Sequence, residues 1–324
     1  SDGSITVSSD SFAVGISASG QYVEISNSGS ITVDADVFGS GISAAGAGVH
    51  IENSGSIAVT SAGGAMGVQA NGLVVNVVNT ESGTIDVTGL GATGVDVSGD
   101  HVYAYNYGDI TVLADGIGGE ALGIDAYSNG GTVYVYNNGN ITVTADESYG
   151  VDTLIYGEGA TAIGINAVSD YVVNLVPVNT LLEGSNDVNV VNGPLGVVTV
   201  LANGTAIGIN ATALADGGVY VDNAGSVSAT SLYDRAFGIV GFTNGLGDIE
   251  IYSSGSVTST AYSRSNGIIA GASGDGNASV TNSGSVTATS YGYGDSWVDA
   301  IGIYGWTDGS GAAYLNKTST GSVA

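Results

Sequence analysis

The chain has 324 residues, 55 of them glycine and only 2 proline, no cysteine, and 43% hydrophobic residues, a balance that excludes collagen, proline-rich linkers, disulfide scaffolds, thiolate metal sites and wholesale disorder. Thirty acids stand against Arg235, Arg264 and Lys317, a formal net charge of −27. Nucleic acid and anionic membrane surfaces, which are bound through Lys and Arg, are therefore poor partners. No apolar run approaches the roughly 20 residues of a spanning helix. The opening Ser1-Asp2-Gly3 is no signal peptide, so a processed product or an excerpt is expected.

Internal repetition fills nearly the whole chain. The first predicted element is a Gly-Ser-Ile-Thr-Val block that opens at Gly3 and returns, with small variations, at Gly29, Gly55, Gly83, Gly108, Gly139, Gly196, Gly225, Gly255, Gly284 and Gly321. The second is a small-x-Gly-Ile/Val block with its glycine at Gly15, Gly41, Gly67, Gly94, Gly123, Gly164, Gly208, Gly238, Gly267 and Gly302. Successive spacings of that glycine are 26, 26, 27, 29, 41, 44, 30, 29 and 35 residues, read as ten turns. The third is Val-x-Ile-x-Asn, as in Val23-Glu24-Ile25-Ser26-Asn27 and Val133-Tyr134-Val135-Tyr136-Asn137. Each block alternates apolar and polar residues over four to six positions, which is strand periodicity, and no sustained helical period occurs.

Strands this short cannot bury an apolar face alone. Coiling three of them per turn, so that equivalent strands stack, covers every face but the end ones. The expected fold is all-β, a right-handed three-sided parallel β-helix of about ten turns of about 26–30 residues, on the order of 50 Å long at the usual strand spacing. A propeller needs four strands and about 40 residues per blade. The predicted inward columns begin Ile5, Ile31, Ile57, Ile85 and Val7, Val33, Val59, Val87, the second shrinking late in the chain to Ala229, Ser259 and Ala288. The second-block glycines fit corners that need positive φ or close backbone approach. Asn27, Asn53, Asn79, Asn106, Asn137, Asn223, Asn282 and Asn316 are expected to form a stacked amide ladder at one corner.

The strings Asn27-Ser28-Gly29-Ser30-Ile31-Thr32-Val33, Asn282-Ser283-Gly284-Ser285-Val286-Thr287-Ala288 and Ala121-Leu122-Gly123-Ile124 resemble the passenger repeats of large autotransporter (type V secreted) surface proteins of Gram-negative bacteria. The likeness covers about nine of the ten turns and fails across 145–195. It implies a secreted, outer-surface, usually non-catalytic β-helix, an adhesin or coat, anchored by an outer-membrane barrel that these residues do not contain. Scarcity of Lys and Arg, which makes the chain a poor trypsin substrate, fits an exposed location.

A single domain, 1–324, is expected, with regular turns over 1–144 and 196–324 and a swollen turn at 145–195 whose long loops carry Pro177, Asp170, Glu183 and Asp187. Loops on a rigid scaffold suit recognition, although an insertion without a partner is equally compatible with the pattern. The chain opens and closes at the same phase of the repeat, as a slice of a longer rod or a head-to-tail filament subunit would. The partners expected are therefore the chain itself or other surface proteins and glycans.

Three chemistries are open to these residues. Outward positions of the third strand put Tyr103, Tyr105, Tyr134 and Tyr136 on neighbouring turns, with Tyr220 and Tyr252 in the same columns. Such a patch suits sugar stacking or protein contact, but cross-strand tyrosines also stabilise a sheet with no ligand. Asp96 and Asp125 are expected about 5 Å apart, a like-charge pair that calcium could bridge, yet no calcium-binding loop motif is present. For catalysis, His50 and His101 are the only histidines and fall on an outer strand face, and no nucleophile elbow occurs. A glycosidase needs only two carboxylates, for which Asp146, Glu147, Asp152 and Glu158, near Asp170 and Glu183, are the candidates. The expectation is a non-enzyme without a required cofactor.

Overall fold

The computed structural model describes residues 3–116, 118–146, 159–170, 187–214, 216–292, 299–318 and 322–323. These form an all-β parallel β-solenoid of about nine turns. Ten copies of the second-block strand are present, and ten copies are joined by nine parallel pairings, which is why counting glycines overstates the turns by one. Every pairing is parallel and in register with the equivalent residue of the next coil: Ile5 faces Ile31, Ile31 faces Ile57, and Val33 faces Val59.

First-block strands build an 11-stranded sheet, and second- and third-block strands a 16-stranded one. The sequence suggests three separate strands per coil. In the first four coils the second and third strands instead run on as single 16-residue strands, Phe12–Asn27, Phe38–Asn53, Gly64–Asn79 and Gly91–Asn106. They are divided from the fifth coil onward, where Gly130 takes φ 102° between Glu120–Asn129 and Val133–Asn137. A positive φ of this kind is costly for any residue but glycine, and it turns the chain out of the strand.

Alternation places every second residue inside. The interior is a continuous column of Ile, Val and Ala, with Ile57, Ile85, Ile141, Ile165 and Ile209 wholly buried. Where the column shrinks to Ser259, the lost methyl groups are replaced by a polar pair: Ser265 Oγ donates to the Ser259 carbonyl at 2.8 Å, and both side chains are buried.

At one corner the side chains of Asn27, Asn53, Asn79, Asn106, Asn137, Asn192 and Asn223 are stacked. Each Nδ2 donates to the Oδ1 of the next at 2.8–2.9 Å. A buried amide needs both a donor and an acceptor partner, and a repeating coil supplies one from above and one from below. Asn192, not assigned to the ladder from sequence, bridges the swollen turn. Neither Asn282 nor Asn316 belongs to it. Ser253 stands between Asn223 and Asn282 and ends the run of amides, and Asn282 Nδ2 donates instead to the Gly284 carbonyl at 3.1 Å. Asn282 faces Lys317, and Asn316 faces Thr281 on the outer side. In the last repeat Ala313 and Leu315 face Ala278 and Val280, in the columns that point inward in the earlier coils, although this end strand is itself exposed.

Candidate functional site: the outer face of the third strand

Both residue columns that the third strand turns outward run without interruption across the coils. Glu24, His50, Asn76, Tyr103, Tyr134, Asn189, Tyr220 and Glu250 follow one another in register. The parallel column holds Glu52, Val78, Tyr105, Tyr136, Val191, Asp222 and Tyr252.

All four tyrosines expected to form a patch are brought together. Tyr103 pairs with Tyr134, and Tyr105 with Tyr136, on adjacent strands. The close ring contacts are diagonal, however. Tyr105 and Tyr134 have centroids 5.7 Å apart at 44°. Tyr107, beyond the corner asparagine and missed in the sequence pattern, meets Tyr136 at 5.5 Å and 47°. Tyr220 and Tyr252 repeat the diagonal contact at 5.8 Å. Tilted rings at this separation attract through edge-to-face electrostatics, so Tyr105 braces Tyr134 and Tyr107 braces Tyr136, with Tyr103 in register beside Tyr134. Burial pushes the hydroxyls of Tyr105 and Tyr134 above the usual phenol range, and neighbouring phenols add to the shift. These two phenols are thus uncharged at neutral pH.

Two concavities lie on this same face. One, of about 450 Å³, is lined by Tyr22, Glu24, His50, Val74 and Asn76. The other, of about 520 Å³, is lined by Asn189, Tyr220 and Glu250 together with Asp187, Asp216 and Asp248. Those three aspartates brace loop corners: Asp187 accepts from the Gly218 amide at 3.0 Å, Asp216 from Leu246 at 3.2 Å, and Asp248 from Asn277 at 2.7 Å. His50 is half-buried in the first groove, while His101 is exposed beside Val74.

Asp96 and Asp125 are directly in register on the outer side of the second strand. Gln69 Nε2 lies 3.4 Å from Asp96, Asn166 Nδ2 donates to Asp125 at 2.8 Å, and Asn210 Nδ2 donates to Asn166 at 2.8 Å. The pair thus lies within a polar ladder whose amides point donors at the carboxylates. Among the described residues no group of three or more His, Asp or Glu side chains is placed to hold a metal, whereas calcium takes about six to eight oxygen ligands. Of the carboxylates considered for hydrolysis, Glu147, Asp152, Glu158 and Glu183 lie outside the described residues. Asp146 accepts from Asn203 at 3.1 Å and Asp170 from the Tyr127 hydroxyl at 3.4 Å.

Burial raises both Asp96 and Asp125 above the ordinary carboxylate value of 3.8, and the charge of Asp125 adds to the shift of Asp96. A raised folded-state pKa means that the ionised form is the disfavoured one. The stabilising contribution of the protonated acid is complete below the ordinary value and lost as pH rises through the raised one. Asp125→Asn keeps the shape and places an amide that donates toward Asp96, in the same sense as its neighbours. It is expected to stabilise the fold at pH 7 by about 1 kcal/mol, the net of one added hydrogen bond. The gain should vanish below about pH 4, where the native acid is itself protonated. Thermal melts at the two pH values read this directly, and a destabilised variant at pH 7 contradicts the assignment.

No family model, curated protein or solved structure matches this chain.

Proposed function

We propose that this chain is a non-catalytic, extracellular β-solenoid that acts as an adhesive surface element, with the outer face of the third strand as its contact surface. The observation that carries this reading is the coincidence on one face of five clustered tyrosines, four of them in two ring pairs, and both concavities. Large amphipathic rings with few rotamers lose little entropy on contact, and a rigid strand scaffold holds them in place. The resemblance of the repeat strings to autotransporter passengers supports a bacterial cell-surface location, and the shortage of Lys and Arg suits a protease-exposed one.

Tyr103→Ser combined with Tyr134→Ser tests the reading. Both side chains point away from the core, so the circular dichroism spectrum and the melting transition should survive with a loss of no more than about 2 kcal/mol, the sum of two cross-strand aromatic pairs. Adhesion of the purified chain to its target cells or surfaces should fall at least about tenfold, as expected when anchoring aromatics are removed. Unchanged adhesion by a folded double variant removes this face from the function.

A further inference from the structure

The side-chain oxygen of Asn76 is buried and has no hydrogen-bond partner. It lies in register between His50 and Tyr103, on the wall of the 450 Å³ groove and one coil from the tyrosine patch. A buried acceptor left unpaired costs free energy, and turning the Asn76 amide outward into the groove would let a donor reach it. At the other end of the patch, Asn189 separates Tyr134 from Tyr220, whose coil opens the second groove. From Asn76 to Tyr220 is four coil steps, a track of about 19 Å parallel to the solenoid axis.

The chemistry of this track is one-sided. It offers flat aromatic faces and oxygen acceptors, but no cationic side chain. Arg235 and Arg264 lie elsewhere, beside Asp234 and Asp299 on the second-strand side, and Lys317 lies in the last described third strand, Ala313–Lys317. With a net charge of −27, an anionic ligand is repelled along its whole length. The three aspartates of the second groove already accept backbone N–H groups, and Glu250 accepts from the Tyr252 hydroxyl, so their charge is partly satisfied within the fold. What fits is a ligand that brings many hydroxyl donors, apolar C–H faces to lie on the rings, no charge, and an extended shape.

We propose that the third-strand face binds an uncharged, unbranched polysaccharide laid along the solenoid axis, with sugar faces stacked on Tyr103, Tyr134, Tyr105 and Tyr136 and a hydroxyl donated to the Asn76 oxygen as its amide turns outward into the groove. This rests on the reading of that face as the adhesive surface and names its ligand class.

Affinity electrophoresis and calorimetry of the intact chain against soluble neutral glucans and mannans, with polygalacturonate in parallel, test it. The expected result is binding to at least one neutral polymer and none to polygalacturonate. Affinity should rise with oligosaccharide length and change little when salt is raised, since no ion pairs are involved. Asn76→Ala, and Tyr103→Ser with Tyr134→Ser, should each weaken binding by about tenfold or more in chains that melt normally. Absence of binding to every neutral polymer overturns the proposal, as does equal binding of polygalacturonate or binding untouched by these variants. If the tyrosine variants abolish adhesion while no polysaccharide binds, the adhesive face stands with a protein ligand and the polysaccharide is wrong. If neither adhesion nor glycan binding responds, both readings fail.

Discussion

Asn106→Ala is expected to lower the unfolding free energy by about 3–5 kcal/mol, among the largest effects available to a single side chain outside the apolar core. Asn106 is 1% exposed and sits mid-ladder. It accepts from Asn79 at 2.8 Å, donates to Asn137 at 2.9 Å, and also donates to the Gly108 carbonyl at 3.1 Å. Truncation leaves the Asn79 amide and the Asn137 carbonyl each short of a partner in a site closed to water, at about 1–3 kcal/mol apiece. Asn140→Ala is the matched control. That asparagine donates to Asp109 at 2.8 Å on the exposed surface, and its loss should stay within about 0.5 kcal/mol. Urea denaturation of the two variants measures the difference. Equal stabilities would mean that the corner ladder contributes no more than a surface contact.

Gly94→Ala should cost about 3 kcal/mol or prevent folding, although alanine is normally the better residue in a strand. A β-carbon at Gly94 would sit 2.5 Å from the Gly123 carbonyl oxygen of the next coil, 2.5 Å from Ile110 Cγ2 and 3.1 Å from Val112 Cγ2. The carbonyl cannot move without opening the coil-to-coil hydrogen bonds, and the methyl groups belong to the packed interior. Gly91→Ala, three residues earlier, meets nothing closer than the Glu120 carbonyl at 3.9 Å and should be neutral or slightly stabilising. Soluble yield and melting temperature of the pair separate steric exclusion from a general intolerance of substitution. A Gly94→Ala variant as stable as the parent contradicts the close approach of neighbouring coils at this corner.

That second example also shows what the sequence could and could not reveal. Recurrence of glycine after a small residue marked the corner, but left open positive φ or crowding. Among the described glycines only Gly118 and Gly130 have positive φ, so crowding by the next coil is the cause at the second-block positions. The inward columns were legible because alternation at period two fixes the face of every residue, and because a repeat that stacks must place Ile31 over Ile57. Asn316 was misplaced because register follows the alternating Ala313 and Leu315, which face Ala278 and Val280, rather than the nearest asparagine. The tyrosine columns followed from the same alternation. Their diagonal ring contacts and the participation of Tyr107 did not, since ring lean depends on rotamers that the pattern does not encode. The unpaired oxygen of Asn76 had no sequence signal at all: in the string Val75-Asn76-Val77 it reads as an ordinary outward polar residue.

The residue columns of the surface and the interior depend on coils stacked one strand spacing apart with equivalent residues aligned. The chain has no cysteine, so two introduced cysteines are unique sites for spin labels. Thr32, Thr199 and Thr287 occupy one outward column of the first-strand sheet, five coil steps separating the first two and eight the first and last. Double electron–electron resonance on Thr32→Cys/Thr199→Cys and on Thr32→Cys/Thr287→Cys should give distances near 24 Å and 38 Å, linear in the number of coils. Distances that fail to grow with coil number, as in a closed ring of blades, would contradict the stacked solenoid and with it the placement of every residue column on its surface.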